Sequence, residues 1–212
     1  MSFESKLKTV KTKKDRLNEN SDYVFNSFNH LSNLITGNKT IALLAGTAVP
    51  VSGPNSSEKR KFDSLFYYFS HTQVYSVLDL INNKLNISDK TNFRTVVKNI
   101  RKNKLSINTL YEKLKGNIIS FVDTLSQFET NEDYEYSDDK LLDYRLDYEA
   151  FKNLQNVKII FANSQNAEKA LAAIVEKLSL NIKIVPIYIF SYGITNEEIA
   201  SKIAKELKEI IN

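Results

Sequence analysis

The chain has 212 residues, 42% of them hydrophobic, with 29 basic against 25 acidic side chains and a sequence pI near 9.0. That length suits one domain with a proper core, and no run of about 18 apolar residues offers a membrane-spanning helix. With no cysteine, disulfides, thiolate zinc sites and cysteine nucleophiles are excluded, and only His30 and His71 are present to build a histidine metal site, so neither metal nor cofactor is expected.

The N-terminus is basic: Lys6, Lys8, Lys11, Lys13, Lys14 and Arg16 stand against Glu4 and Asp15. It lacks the apolar stretch of a secretory leader, so a cytoplasmic protein is expected. Residues 1–20 read as a basic segment ahead of a single domain over 21–212. Residues 22–36 place Val24, Phe25, Phe28, Leu31, Leu34 and Ile35 at helical spacing, and Gly37 can close that helix. His30 lies on it and reads as structural. The first strand is predicted over 40–45, inside TIALLAGTAVP, and residues 51–61 form a loop by their Gly, Pro and Ser content. Helices follow over 72–85, 91–102 and 106–115, the last ending at Gly116.

The second strand is expected over 117–123 and an irregular acidic stretch over 129–140, within a region (129–149) holding nine acids against Lys140 and Arg145. Such charge asymmetry can orient a protein on a polyanion, and it equally describes a frayed terminus and a solvated loop. A helix is predicted near 139–153 and a third strand over 157–162. The next helix, 164–179, opens on Ser164 as N-cap. The fourth strand covers 182–190, with Pro186 pushing it towards a sheet edge or a bulge. A last helix begins at a capping box of Thr195 and Glu198.

Strands separated by helices imply parallel pairing with right-handed crossovers. The expected fold is therefore α/β: a three-layer α/β/α sandwich around a mostly parallel sheet of about four strands. Its carboxyl edge, where ligands bind in such sheets, is formed by the loops 46–71, 123–138, 163–164 and 191–195.

No P-loop, dinucleotide fingerprint or nucleophile elbow is present. What remains is an ordered set of pieces: GTAVP after the first strand, FYYFSH leading into TQVYSVLDL, LKGNIISFVDTL, VKIIFANSQNAEKAL and IYIFSYG. Together, over about residues 40–211, they resemble the uracil-DNA glycosylase superfamily, most nearly its mismatch-specific and hypoxanthine-DNA glycosylase branches. The resemblance implies a protein that binds DNA and hydrolyses the N-glycosidic bond of a modified or mismatched base. It departs from the family at the catalytic positions. The first turn offers Thr47, Thr72 stands where the family's helix carries Asn, Val74-Tyr75 replaces a Phe-Trp pair, and the fourth-strand loop reads Phe190-Ser191-Tyr192-Gly193.

By that resemblance Tyr68 and Phe69 would stack on an extruded base, with Gly46, Asp123 and Asn163 completing the pocket. Asp123 would accept from a ring N–H or an exocyclic amine; as a cap for the following turn it would be structural. Thr47, Thr72 and His71 are the candidate catalytic residues. The two threonines can position water but cannot act as general bases near neutral pH, and His71 can contact phosphate or polarise the leaving base, or simply cap a helix. Lys59, Arg60, Lys61, Ser191 and Tyr192 are candidates for the DNA backbone.

Two alternatives stay open. One is a catalytically inactive protein of the same fold that binds nucleic acid, nucleotide or a protein partner. The other is a NAD- or nucleoside-handling α/β enzyme, since ALLAGTAVPVSGP is loosely similar to the sirtuin glycine turn, although its glycine pattern is incomplete and no zinc cysteines follow.

Overall fold

A computed structural model describes residues 23–25, 36–47, 72–87, 91–102, 104–129, 143–189 and 193–211. Four strands form the central sheet: β2 (Ala42–Gly46), β3 (Ile119–Asp123), β6 (Ile159–Ala162) and β7 (Lys183–Pro186), all parallel, in the order β3-β2-β6-β7. Every residue of β3 and β6 is buried, as expected of strands covered on both faces.

Alternation along the strands divides the core in two. Ala42, Leu44, Phe121 and Phe161 point to one face, where they meet α1 (Thr72–Lys84), α2 (Phe93–Arg101), α3 (Ile107–Lys115) and α6 (Asn196–Ile211). Leu43, Ala45, Val122 and Ile160 point to the other, against α5 (Gln165–Leu178) and the short α4 (Tyr148–Phe151), which contributes Phe151. This is the expected three-layer sandwich. Pro186 ends β7, an edge strand, where its missing N–H disrupts no second ladder.

Local chemistry sets several boundaries. Ser164 caps α5 by accepting from the Ala167 N–H (3.0 Å). Thr195 and Glu198 form the capping box of α6: the Thr195 N–H donates to Glu198 Oε2 (2.7 Å) and the Glu198 N–H to Thr195 Oγ1 (3.2 Å). The start of α2 is capped twice. Asn92 Oδ1 accepts from the Thr95 N–H (2.8 Å), while the Asp79 carboxylate, reaching across from α1, accepts from the N–H groups of Phe93 (2.7 Å) and Arg94 (3.2 Å). Partial burial nevertheless pushes the Asp79 carboxyl above its usual range, opposed by those two N–H groups and by Arg94.

Two expectations for this chain need correction. A second, antiparallel sheet is present, ordered β1-β4-β5, from β1 (Tyr23–Phe25), β4 (Leu125–Glu129) and β5 (Asp143–Leu146). Tyr23–Phe25 is thus a strand rather than part of a helix over 22–36, and the rest of that span up to residue 35 lies outside the described residues. Its aromatic and β-branched run suits pairing, here with Gln127–Glu129. The helix end expected at Gly37 lies against residues outside the described ones. A Cβ there would lie 2.1 Å from the Lys115 carbonyl oxygen, so the glycine is required by close approach to the end of α3.

The helix expected near 139–153 is likewise split. Among the described residues of that span, Asp143–Leu146 is a strand and Tyr148–Phe151 is the helical part. Asp147 marks the join: its side chain accepts from the Ala150 N–H (3.0 Å), and its own N–H donates to the Thr124 carbonyl (2.9 Å). Pairing of Leu146 with Leu125, both buried in the second core, outweighs the helical pattern. The acidic stretch from residue 129 begins inside β4 and not in an irregular segment.

Candidate functional site

The next described helix after β2, α1, packs on one face of the sheet, and α5, which follows β6, packs on the other. Adjacent strands whose following helices part in this way open a crevice at their carboxyl ends, the usual ligand position in such sheets. Gly46 and Thr47 stand on one side of it, Asn163 and Ser164 on the other, with Asp123 beside Gly46.

The backbone around this edge is tightly bonded. Gly46 pairs with Asp123 in register. The Thr124 N–H donates to the Gly46 carbonyl (3.0 Å), and the Thr47 carbonyl accepts from both the Leu125 N–H (3.1 Å) and the Thr124 hydroxyl (3.1 Å). Across the crevice the Asn163 N–H donates to the Ala45 carbonyl (2.9 Å). Only one residue, Thr124, separates β3 from β4, so the second sheet departs directly from the crevice wall.

Asp123 is fully buried. Alternation from Ile119 and Phe121 places it on the α1 side of the sheet. Thr47 turns the other way: its hydroxyl is 2.8 Å from Ser164 Oγ, the same oxygen that caps α5. The structure thus brings Gly46 and Asp123 together and draws Thr47 into the α5 cap. Asn163 has a defined task, because its Oδ1 accepts from the Ile189 N–H (2.6 Å) and so fixes the chain after β7.

Thr72 opens α1. Its neighbour Gln73 donates through Nε2 to the Ile189 carbonyl (3.1 Å), tying the helix start to the same segment. Val74 and Tyr75 are core residues: the Tyr75 ring stacks on Phe93 and meets Phe121 edge-on, both at 6.3 Å between centroids. His71, Tyr68, Phe69, Lys59, Arg60, Lys61, Ser191 and Tyr192 lie outside the described residues, as does His30. Among the described residues no three His, Asp or Glu side chains gather as a metal site would require, and no helix is long and apolar enough to cross a membrane.

No family model and no curated protein matches the chain. Among solved structures, it is similar to the solution NMR structure of a candidate uracil DNA glycosylase from Methanosarcina acetivorans. The TM-score is 0.47 and the identity 13%, over 82% of this chain and 94% of that one.

Tyr188 adopts a left-handed backbone (φ 45°), and its hydroxyl donates to Glu168 Oε2 (2.6 Å) in the first turn of α5. The carboxylate holds the phenol's proton and raises its pKa, with a smaller contribution from burial. A left-handed tyrosine costs about 1–2 kcal/mol, so the surrounding bonds must hold it: the Glu168 contact, and the Asn163 and Gln73 bonds to Ile189. Glu168 was legible as a first-turn acid. Nothing in YIF marks a left-handed turn.

Chemically, a buried carboxylate beside a glycine can read a flat heterocycle. A carboxylate accepts hydrogen bonds from ring or exocyclic N–H groups.

Proposed function

We propose that this protein is a uracil-DNA-glycosylase-like enzyme that binds DNA and excises a modified or mismatched base by N-glycosidic hydrolysis. The observation carrying this reading is the fully buried Asp123, in register beside Gly46 at the carboxyl edge of the sheet. The order of the motifs along the chain supports it. In this reading residues 21–212 act as one domain in the cytoplasm, with residues 1–20 as a basic arm for DNA. Asp123 reads an N–H on the extruded base, Tyr68 and Phe69 stack on it, and Asn163 shapes the pocket by holding Ile189. His71 and Thr72, at the mouth of α1, position water or the leaving base. Lys59, Arg60, Lys61, Ser191 and Tyr192 contact the backbone phosphates.

A second reading, a non-catalytic binder on the same scaffold, is favoured by one contact. The Thr47 hydroxyl, the only side-chain function in the first turn, is engaged with the α5 cap.

The test is a panel of labelled oligonucleotides carrying uracil, hypoxanthine, xanthine, G:T and G:U mismatches and modified cytosines, incubated with protein and then with hot alkali. Cleavage at one lesion, abolished by Asp123→Asn, is the expected result. Salt-sensitive binding without cleavage would establish the second reading. Binding of NAD or a free nucleoside without affinity for DNA would overturn both.

A further inference from the structure

A groove of about 540 Å³ runs between the last turn of α1 and α6, lined by Lys84, Ser201, Ala204, Lys205, Lys208 and Glu209. We infer that it binds phosphate groups, at a site separate from the carboxyl-edge crevice.

The lining follows from helix geometry. Positions 201, 204, 205 and 208 share one face of α6. Ser201 and Ala204 are small, which makes the face concave, and the buried Ala204 forms its floor. Three ammonium groups then surround the groove against one carboxylate, Glu209. Among the described residues Lys205 and Lys208 take part in no ion pair. Lys84 pairs with Glu197, the two side chains being 29% and 59% exposed, and a pair with one partner this open to water contributes little. The remaining acid nearby is engaged elsewhere: Glu206 binds Lys183 at 2.5 Å.

Lys84 and Lys208 each lie in a last helical turn, where a cation complements the helix dipole. That placement explains neither Lys205 nor the concavity. Lysine ammoniums act on phosphate as point charges, with the Ser201 hydroxyl as an added donor. The volume also lies in the range of small-ligand sites.

The position separates the Lys205–Lys208 end of this groove from the crevice. Lys202 reaches the Pro186 carbonyl at the end of β7, whereas Glu206 pairs with Lys183 at its start. α6 therefore runs back along the sheet, and Lys205 and Lys208 lie towards the strand-start side, opposite the carboxyl edge.

The experiment titrates the full chain with inorganic tripolyphosphate, ATP and an undamaged single-stranded dodecanucleotide, each at two salt concentrations. Wild type is compared with K205Q/K208Q, and matching thermal melts confirm that the variant is folded. Tripolyphosphate affinity should fall at least fivefold in the double variant and rise in Glu209→Gln. The dependence of log K on log salt should become shallower by about one to two charges. A parallel loss for the dodecanucleotide identifies nucleic-acid backbone as the phosphate source; a loss confined to tripolyphosphate and ATP identifies a small phosphate ligand. Absence of wild-type binding to all three probes, or equal binding by the variant, would overturn the inference. Neither result bears on lesion cleavage.

Discussion

Asn163 offers a sharp separation between a pocket residue and a positioning residue. Its Oδ1 accepts the Ile189 N–H at 2.6 Å, and Ile189 is 1% exposed. Asn163→Ala leaves that N–H buried without a partner, at a cost of about 1–3 kcal/mol. With a urea m-value of about 2–3 kcal/mol/M, at the upper end for small proteins, a loss of about 2 kcal/mol moves the midpoint down by about 0.7–1 M. Asn163→Asp keeps an acceptor oxygen at the same reach and should recover most of the loss near neutral pH. The assay is urea unfolding followed by circular dichroism, on wild type and both variants. If alanine and aspartate behave alike, or if alanine unfolds with wild type, the hydrogen bond does not hold the segment after β7 and the reasoning fails. A fully stable Asn163→Ala that has lost base recognition would instead return Asn163 to direct contact with the base.

Other outcomes follow from the same geometry. Ser179, the C-cap of α5, is left-handed (φ 51°), so Ser179→Gly should raise stability by about 1 kcal/mol in thermal melts, relieving the steric cost of that conformation. Gly37→Ala drives a methyl into the Lys115 carbonyl and should cost about 1–3 kcal/mol or prevent expression of folded protein. Thr195→Ala should cost about 1 kcal/mol through the lost cap. Glu198 is held below its usual pKa by the Thr195 N–H and hydroxyl; its contribution is present above the ordinary carboxylate pKa and disappears as pH falls through its lowered value, so Glu198→Gln should be less stable at neutral pH and converge with wild type in acid. Asp79 behaves oppositely. Its carboxyl is raised by burial, so the stability it lends is complete below 3.8 and declines as pH rises through its raised value; Asp79→Asn should flatten that decline in pH-dependent denaturation.

How far the fold was legible varies by element. Apolar runs such as ALLAG and IIFA declared buried parallel strands because both faces are covered. Ser164 and the Thr195–Glu198 pair placed two helix starts by chemistry confined to a single turn. The second sheet was hidden because its partners are distant: Tyr23–Phe25 needs Gln127–Glu129, and Leu146 needs Leu125. Within KLLDYRLDYEAF the leucines imitate a helix, and only Asp147, a good N-cap, hinted that the helix starts after it. At the site, Gly46 and Asp123 were readable as strand ends, and their side-by-side register agrees with that placement. The inward turn of Thr47 was not readable, because Ser164 lies more than a hundred residues further along. The left-handed turn at Tyr188 was not readable, because its backbone is set by bonds to Glu168 and around Ile189 rather than by its own sequence.

The central place of β2 bears on how the chain is made. Ala42 pairs on one side with Ile119 and on the other with Ile159, and neither partner exists when β2 leaves the ribosome. At about 5–20 residues per second, synthesis needs on the order of ten seconds to deliver both. During that interval TIALLAG is a nascent apolar segment with two unsatisfied edges, a natural substrate for a holding chaperone. Folding of the α/β core must wait for β6, so translation speed between residues 46 and 159 sets how long the growing polypeptide stays open to misassociation.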